Sequence, residues 1–317
     1  MRTTGELPDL AAIRDAAARI APFARVTPVL SSDALDALSG ASLHFKCENL
    51  QRGGAFKFRG ACNAVWSLSD ADAARGVLTH SSGNHGAALA LAAATRGIAA
   101  HVVVPEGAVR AKLEAITRAG AILHRCAPTQ AAREQAAAQL QADTGAVLVH
   151  PYADAAVMAG QGTLALELLA QAAPLDALLT PVGGGGLASG VAIAAHGLHP
   201  ALALFGAEPV GADDAARELT GTPVHEFVPQ THCDGLRARI GRANLRALAE
   251  HRVQVITVSD EACIAAMRLL WRELKLVVEL SSATVLAAVL QDPARFAGKR
   301  VGLVLTGGNV DLDALPW

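Results

Sequence analysis

The sequence predicts an α/β protein built around an open parallel sheet. Short apolar runs alternate with alanine-rich helical patterns through most of the 317 residues. The runs are continuous rather than alternating in hydrophobicity, which is typical of parallel strands covered by helices on both faces. Glycine-rich turns follow three of the runs, at 81–86, 181–186 and 306–309. Ligands bind beyond the carboxyl ends of strands in such sheets, so these turns predict one composite pocket.

The apolar runs predict the strands individually. They are VLTH (77–80), AHVVVP (100–105), AILHRC (121–126), VLVHP (147–151), DALLTPV (176–182), ALALFGAEP (201–209), VQVITVS (253–259) and VGLVLTGG (301–308). Helical patterns such as 83–97 and 109–120 lie between them. We expect a small domain of residues 76–147 inserted into a large domain formed by residues 1–75 and 148–317. The chain ends at DLDALPW soon after the last run, so we expect no separate regulatory module.

Composition excludes several classes of protein. With 52% apolar and 18% charged residues and a net charge of −2, the chain offers no electrostatic case for nucleic acid or an anionic membrane. Five scattered cysteines form no CxxC pair, which indicates reduced, mostly buried thiols. The N-terminus lacks the apolar segment of a signal peptide. The uncharged stretch 177–207 contains four consecutive glycines and two prolines, so it cannot form one membrane helix. We expect a soluble, cytoplasmic protein.

The four glycines Gly183, Gly184, Gly185 and Gly186 follow a predicted strand, and Leu187 opens a helix. Backbone N–H groups at such a turn can bind a phosphate, because no side chain blocks the approach and the helix dipole favours negative charge. Two alternatives stay open from this motif alone. Gly183-x-Gly185-x-x-Ala188 also fits a dinucleotide pattern, with Glu208 as the ribose acceptor about 20 residues later. Close packing of helix against strand is the other.

The segment SSGNHG places two hydroxyls, an amide and an imidazole at a predicted helix start. These convergent donors suit a carboxylate. The alternative is an ordinary helix N-cap, which would explain one of the residues but not all.

Lys57 lies between Phe56 and Phe58 within the glycine-bracketed stretch RGGAFKFRGA (52–61). Most lysines are solvated, but an amine desolvated by apolar neighbours has a lowered pKa, as a lysine that forms a Schiff base requires. The chain has only five lysines, and Lys57 alone stands in such a context.

Four motifs in order, ENLQRGGAFKFRGA, THSSGNHG, PVGGGGLASG and LTGGNVD, resemble the fold type II pyridoxal-phosphate enzymes, the class of the tryptophan synthase β chain. Within that class the match is to the serine/threonine dehydratase and serine racemase group, and it covers roughly residues 25–312. HPYADAAVMAGQGTLALELL (150–169) also resembles this group.

The resemblance implies a role for each matching residue. Lys57 would form the Schiff base with pyridoxal phosphate, with Phe56 beside the ring, and Asn84 would bind the ring's 3-hydroxyl oxygen. The phosphate would be held by Gly183, Gly184, Gly185, Gly186 and Leu187. Thr306 takes the place of the serine or cysteine that faces the pyridine nitrogen. A hydroxyl there leaves the ring a weaker electron sink than an aspartate would, which suits elimination.

The resemblance further implies a dehydratase that releases a 2-oxo acid and ammonia from a β-hydroxy-α-amino acid, by default L-serine or L-threonine. Lys57 would remove the Cα proton, and the substrate α-carboxylate would be bound by Ser81, Ser82, Gly83, Asn84 and His85. Ser82 matches the second acid/base of the racemases. Arg133 matches a position near the substrate's distal end, so 3-hydroxyaspartate is an alternative substrate. Phenylserine dehydratase and serine racemase are further alternatives.

AEPVGADD (207–214) resembles the segment that binds Mg²⁺, Mn²⁺ or Ca²⁺ in racemase-like members. Glu208 and Asp214 would supply carboxylates and Ala212 a backbone carbonyl, all hard oxygen ligands. A solvated acidic turn is the alternative. The resemblance also implies a homodimer with a small-molecule amino acid as its substrate.

Departures from the family pattern concern the substrate side chain. The motif E-P-[ST]-[AG] reads Glu279-Leu280-Ser281-Ser282 here, and Gly53 and Ala55 stand where threonine and serine are common. Outside this class, a nicotinamide-dependent dehydrogenase and a silent ligand-binding protein are the alternatives. Only a Schiff-base enzyme would be yellow as purified.

Overall fold

The computed structural model describes residues 5–108, 110–172 and 174–317, without the side chains of residues 111 and 112. Its strands are β1 (Val29–Leu30), β2 (Ser42–Cys47), β3 (Val77–Thr79), β4 (Ala100–Pro105), β5 (Ile122–Cys126), β6 (Val147–Leu148), β7 (Ala177–Pro181), β8 (Ala203–Pro209), β9 (Gln254–Val258) and β10 (Arg300–Leu305). Its helices are α1 (Leu10–Ile20), α2 (Asp33–Ser39), α3 (Lys57–Trp66), α4 (Asp70–Ala73), α5 (Asn84–Arg96), α6 (Arg110–Arg118), α7 (Gln130–Thr144), α8 (Ala155–Ala172), α9 (Gly186–Leu198), α10 (Asp214–Leu219), α11 (Arg242–Glu250), α12 (Asp260–Leu274), α13 (Leu280–Gln291) and α14 (Pro293–Phe296). Short 3₁₀ turns occupy Glu48–Leu50, Arg52–Gly54, Val210–Ala212 and Asp234–Leu236.

The strands form two sheets, and the predicted α/β class with parallel strands is confirmed. The larger sheet has the order β1-β2-β10-β7-β8-β9, and the smaller has the order β5-β4-β3-β6. Every neighbouring pair is parallel except β1 with β2. The smaller sheet takes its strands from residues 77–148, and the larger sheet takes its strands from either side of that segment.

The assignment of residues to two domains stays a prediction. β6 ends at Leu148, one residue beyond the limit expected for the small domain. In addition, α3 packs against α5, and Phe58 and Leu89 from these two helices share one buried cluster. A helix outside the expected segment therefore packs with a helix inside it.

Helices cover both faces of the larger sheet. Leu178 on β7 lies in an apolar cluster with residues of α1, α8 and α9. Its neighbours Ala177 and Leu179 lie in the opposite cluster, with residues of α12 and α13. Because both faces of the strand are buried, its residues are continuously apolar, which is the pattern that predicted it.

Two strands were missed by the sequence analysis, β1 and β2. β2 reads SLHFKC, and its polar residues interrupt the apolar run that would mark a buried parallel strand. Lys46 is nevertheless fully buried, because its amine donates to the Thr27 carbonyl at 2.7 Å and to Glu167 Oε2 at 2.6 Å. Its acidic partner is 121 residues away, so no local pattern could reveal it.

A buried ion-pair network fixes α3, the helix that begins at Lys57. Arg59 donates to both Glu48 carboxylate oxygens, at 2.7 and 2.8 Å, and to both oxygens of Glu167, at 2.6 and 2.8 Å. Glu167 also accepts from Lys46. Breaking such a buried network leaves a charge without its partner and is strongly destabilising.

No helix in the described ranges is both long and apolar enough to span a bilayer. The uncharged stretch 177–207 divides into β7, α9 and the start of β8. All five cysteines are free thiols, and four of them are buried. Residues 1–4 of the N-terminal segment lie outside the described residues, and its remainder includes α1.

Candidate active site

Four chain segments meet beyond the strand ends. Residues 54–57 run beside the end of β10, where Phe56 N donates to Thr306 O at 2.9 Å and Gly308 N donates to Gly54 O at 2.9 Å. Asn309 then joins this pair to a third segment by donating to Asn84 Oδ1 at 2.9 Å. The glycine turn after β7 is linked to Lys57 by residues 150–153. Tyr152 packs against Gly184, and the Pro151 carbonyl accepts from Lys57 Nζ.

Lys57 is partly buried, and its Nζ donates to the Pro151 carbonyl at 3.0 Å. The amine lies 5.0 Å from the centroid of the Phe56 ring. Burial lowers the pKa of Lys57 to about 8, although the nearby Glu279 carboxylate acts to raise it. The lowered pKa is in the predicted direction. Phe58 is fully buried in the cluster shared with α5, with the Arg52 guanidinium 5.0 Å from its ring centroid.

The segment SSGNHG enters α5 without a side-chain cap. Gly83 occupies the N-cap position, and no side chain of the described chain caps the helix. The N-cap alternative is therefore wrong, and the first-turn N–H groups of α5 remain available to a ligand. Neither the Ser81 nor the Ser82 hydroxyl has a hydrogen bond to a described residue, and both side chains are only partly buried.

His85 is almost fully buried behind that segment. Its Nε2 lies 3.2 Å from the Val149 carbonyl and must donate to it, because a carbonyl can only accept. Its Nδ1 is buried and has no hydrogen-bond partner in the part of the chain that the structure describes. Burial, reinforced by the charge of Lys57, holds the pKa of His85 well below its usual range, so the ring is neutral.

Asn84 connects two segments that are distant in sequence. Its Nδ2 donates to Glu279 Oε2 at 3.0 Å and Oε1 at 3.3 Å, and its Oδ1 accepts from Asn309. Glu279 is nearly buried at the start of α13. Glu279 belongs to the segment that departs from the family motif, and the motif alone indicates no role for it. No local signal connects it to Asn84, because 195 residues separate them.

The tetraglycine leads directly into α9. Gly185 has φ +87°, a conformation that favours glycine, and no described side chain caps α9. A Cβ on Gly184 would lie 2.4 Å from the Tyr152 ring. Asn244 Nδ2 donates to the Gly184 carbonyl and, at 3.0 Å, to the Tyr152 carbonyl. Close packing thus explains Gly184, while the uncapped first turn, which includes Gly186 and Leu187, remains suited to an anion.

Thr306 follows β10 and is almost fully buried. Its Oγ1 lies 2.9 Å from Ser282 Oγ. Ser282 Oγ in turn accepts from Gly307 N at 2.8 Å and lies 2.8 Å from the Gly307 carbonyl. Since that carbonyl takes the only Ser282 proton, Thr306 is the donor to Ser282, and its oxygen lone pairs stay free. Ser282, a residue of the departing motif, therefore orients Thr306.

Arg133, on α7, lies close enough to the rings of His80 and Tyr152 to act on them electrostatically. The His80 and His150 rings lie 5.5 Å apart, and the His150 and Tyr152 rings lie 4.6 Å apart, both in edge contacts. The charge of Arg133 contributes to the lowered pKa of His80, whose main cause is burial. Arg133 Nε is buried without a hydrogen-bond partner among the described residues. No sequence motif indicated a role for His80, His150 or Tyr152.

Glu208 and Asp214 lie at the N-terminal end of α10. Glu208 is fully buried, and its oxygens accept from Ala215 N at 3.3 Å and Ala216 N at 2.9 Å. Burial raises the pKa of Glu208 to about 8, and Asp214 adds to the shift. The Glu208 side chain has no exposed surface and so is not accessible to a ribose, and the dinucleotide interpretation lacks its acceptor.

The predicted metal ligands remain compatible with a hard cation. Asp214 Oδ2 accepts from Ile240 N at 2.7 Å, whereas Oδ1 is buried and has no partner within the described ranges. Burial raises the pKa of Asp214 as well. The described residues contain no group of three or more His, Cys, Asp or Glu side chains placed to hold a metal. Two carboxylates and the Ala212 carbonyl would thus need water to complete the shell.

Comparisons with known proteins agree on one family. The family model described as pyridoxal-phosphate dependent enzyme matches residues 20–307. A β-hydroxyaspartate dehydratase from Paracoccus denitrificans (strain Pd 1222) is 48% identical, over 94% of this chain and 95% of that protein. A serine racemase from Arabidopsis thaliana is 47% identical, over 97% of this chain and 95% of that protein. The solved structure of maize serine racemase has a TM-score of 0.95 at 42% identity, over 97% of this chain and 95% of that chain.

Proposed function

Because the chain belongs to the family of pyridoxal-phosphate-dependent enzymes, we propose that it is an ammonia-lyase that converts a β-hydroxy-α-amino acid into a 2-oxo acid and ammonia. The observation that carries this proposal is the Lys57 amine, whose pKa burial lowers to about 8. An amine with such a pKa is partly unprotonated near neutral pH, and the free amine is the form that reacts with an aldehyde and accepts a proton.

The residues present fit the cofactor. The first turn of α9 follows the glycine loop directly, and no described side chain caps it, so its backbone N–H groups are suited to bind a phosphate. Lys57 would hold the aldehyde carbon, Asn84 would face the 3-hydroxyl oxygen, and Thr306 would face the pyridine nitrogen. When bound, pyridoxal phosphate withdraws electrons from the substrate Cα and makes its proton acidic.

The chain's own residues then bind the substrate and move one proton. The first-turn N–H groups of α5 and the Ser81 and Ser82 hydroxyls would bind the α-carboxylate. Lys57 Nζ takes the Cα proton. His85 and His150 have lowered pKa values and stay neutral, so they add no positive charge beside the Lys57 amine. Elimination releases one water and hydrolysis of the enamine product consumes one, so the overall change needs no oxidant or reductant.

Arg133 favours a dicarboxylic substrate, 3-hydroxyaspartate, over the default serine and threonine. Its Nε is buried and lacks a hydrogen-bond partner among the described residues, and a buried donor is costly unless an acceptor pairs with it. A second substrate carboxylate would supply that acceptor, whereas the phenyl ring of phenylserine would leave the donor unpaired. The 48% identity to a β-hydroxyaspartate dehydratase supports the same choice.

Serine racemisation is a second candidate function, because the Ser82 hydroxyl is free of hydrogen bonds to described residues and stands beside Asn84. A free hydroxyl can return a proton to Cα from the face opposite Lys57. The relatives that are serine racemases support this candidate.

We further propose that Glu208, Asp214 and the Ala212 carbonyl hold Mg²⁺, Mn²⁺ or Ca²⁺, since two buried carboxylates with raised pKa values would be stabilised by a divalent cation. The cytoplasmic location, expected from the composition, and the homodimer, expected from the resemblance, remain predictions.

The test is 2-oxo acid release from serine, threonine, 3-hydroxyaspartate and phenylserine, with chiral analysis of the remaining amino acid. We expect turnover of 3-hydroxyaspartate, lost in Lys57→Ala and kept in the surface control Lys299→Ala. Racemisation without 2-oxo acid would replace the lyase proposal by the second candidate. A colourless protein without turnover would leave only a ligand-binding role.

A further inference from the structure

One short turn, residues 150–153, contacts both anchors of the proposed cofactor site. The Pro151 carbonyl accepts from Lys57 Nζ at 3.0 Å. The Tyr152 carbonyl accepts from Asn244 Nδ2 at 3.0 Å, and the same Nδ2 donates to Gly184 O. The Tyr152 ring and Cα lie where a Cβ on Gly184 or Gly186 would be. The amine and the glycine loop are therefore joined through four consecutive residues.

His150, the first residue of this turn, sets its shape. His150 Nδ1 accepts from Ala153 N at 2.9 Å and from Tyr152 N at 3.3 Å. Backbone N–H groups can only donate, so Nδ1 carries no proton, and the neutral ring has its proton on Nε2. A side-chain acceptor bound to the N–H groups two and three residues ahead is the arrangement that aspartate and asparagine adopt in turns.

The surroundings keep the His150 ring in this state. Its edge contacts are with His80 and Tyr152. Burial, with smaller contributions from His80 and Lys57, lowers the pKa of His150 to about 4. The ring is thus neutral at any pH well above that value, and Nδ1 remains an acceptor.

We infer that His150 is a positioning residue. Its two hydrogen bonds to backbone N–H groups place the Pro151 carbonyl against Lys57 and Tyr152 against the glycine loop. They thereby set the distance between the Lys57 amine and the glycine loop. The inference rests on the proposed function only for the assignment of Lys57 and the glycine loop as the two anchors. It does not depend on which amino acid is the substrate.

A ligand held at two anchors binds more tightly than either of its halves alone, provided that the distance between the anchors matches the ligand. Loss of this distance should therefore weaken binding of the whole ligand and leave the binding of each half unchanged. The three probes are pyridoxal phosphate, pyridoxal and inorganic phosphate, each titrated into the full chain after removal of cofactor. Visible absorbance reports the aldehydes, and calorimetry reports phosphate.

His150→Phe keeps a ring against His80 and Tyr152 but has no acceptor, whereas His150→Asn restores an acceptor. We expect His150→Phe to bind pyridoxal phosphate about tenfold more weakly or worse, with pyridoxal and inorganic phosphate bound as in the unmodified chain. His150→Asn should recover most of the loss. His150→Leu is a second acceptor-free variant in case the phenylalanine variant does not fold.

Three results would overturn the inference: unchanged pyridoxal phosphate affinity in both acceptor-free variants, equal loss for all three probes, or no recovery in His150→Asn. Equal loss would mean general damage to the fold rather than lost spacing. Failure of the unmodified chain to bind pyridoxal phosphate would instead contradict the proposed function.

Discussion

The Asn84 amide donates to the Glu279 carboxylate at 3.0 Å, so a residue at the start of α5 is oriented by one at the start of α13. The same carboxylate acts electrostatically on Lys57 and raises its pKa against the larger effect of burial. Glu279 therefore links the residue proposed to face the cofactor ring with the residue proposed to bind its aldehyde.

Replacement of Glu279 by Gln should lower the pKa of Lys57 below its value of about 8. The carboxylate stabilises the charged amine, so its removal favours the neutral form. The measurement is the pH dependence of amine modification in the cofactor-free chain, with Lys57→Ala subtracted as background. Gln can still accept from Asn84, so this variant separates charge from hydrogen bonding. An unchanged or raised pKa would contradict the assigned interaction.

Gly184→Ala should lose both stability and affinity for pyridoxal phosphate, because its Cβ would lie 2.4 Å from the Tyr152 ring. Overpacking of this kind costs about 1–3 kcal/mol. Chemical denaturation measures the free energy of unfolding. The matched control is Gly83→Ala, whose Cβ would meet nothing within 4 Å and whose stability should stay near that of the unmodified chain. Equal stability of the two variants would show that the Tyr152 turn can move aside.

Arg133→Gln should lower kcat/KM for 3-hydroxyaspartate by about a hundredfold, through loss of the charge partner for the distal carboxylate. Serine has no such carboxylate, so its kcat/KM should change little. Steady-state kinetics with both substrates provides the comparison, and the exposed Arg272→Gln on α12 serves as control. A similar loss for both substrates would argue against recognition of the distal group.

Mg²⁺ should raise the melting temperature in a concentration-dependent manner if Glu208 and Asp214 hold it, because a ligand that binds only the folded state stabilises it by mass action. Asp214→Asn should abolish the shift. Asp213→Asn, at the adjacent position, should keep it, since Asp213 is not among the proposed ligands. Thermal unfolding after EDTA treatment, with and without added Mg²⁺, measures the effect. No shift in the unmodified chain would leave the acidic segment without a metal role.

Ser82→Ala should suppress any serine racemisation while 2-oxo acid release continues, because elimination needs only the Lys57 face of Cα. Positioned proton transfer contributes roughly 10²–10⁴-fold to a rate, so the ratio of racemisation to elimination should fall by at least about tenfold. Chiral chromatography and 2-oxo acid assay on the same sample give that ratio. An unchanged ratio would exclude Ser82 as the second proton donor.

Local patterns in the sequence predicted the strands whose faces are both apolar, because burial on two sides leaves a continuous run such as the residues of β7. They failed for β2, because Lys46 depends on Glu167, whose position becomes known only in the folded chain. The same limit applies to the site. Lys57, Asn84 and the glycine loop lie in motifs that are contiguous in sequence, whereas Glu279 and Ser282 act through partners in other segments.

Tyr152 is the only tyrosine of the chain, and it packs on the glycine loop. Burial raises the pKa of its phenol. The molecule consequently carries an intrinsic optical probe at the place where the phosphate is proposed to bind. Any tyrosinate signal in its ultraviolet spectrum comes from this single ring, so spectroscopy of the unlabelled protein can follow events at one loop among 317 residues.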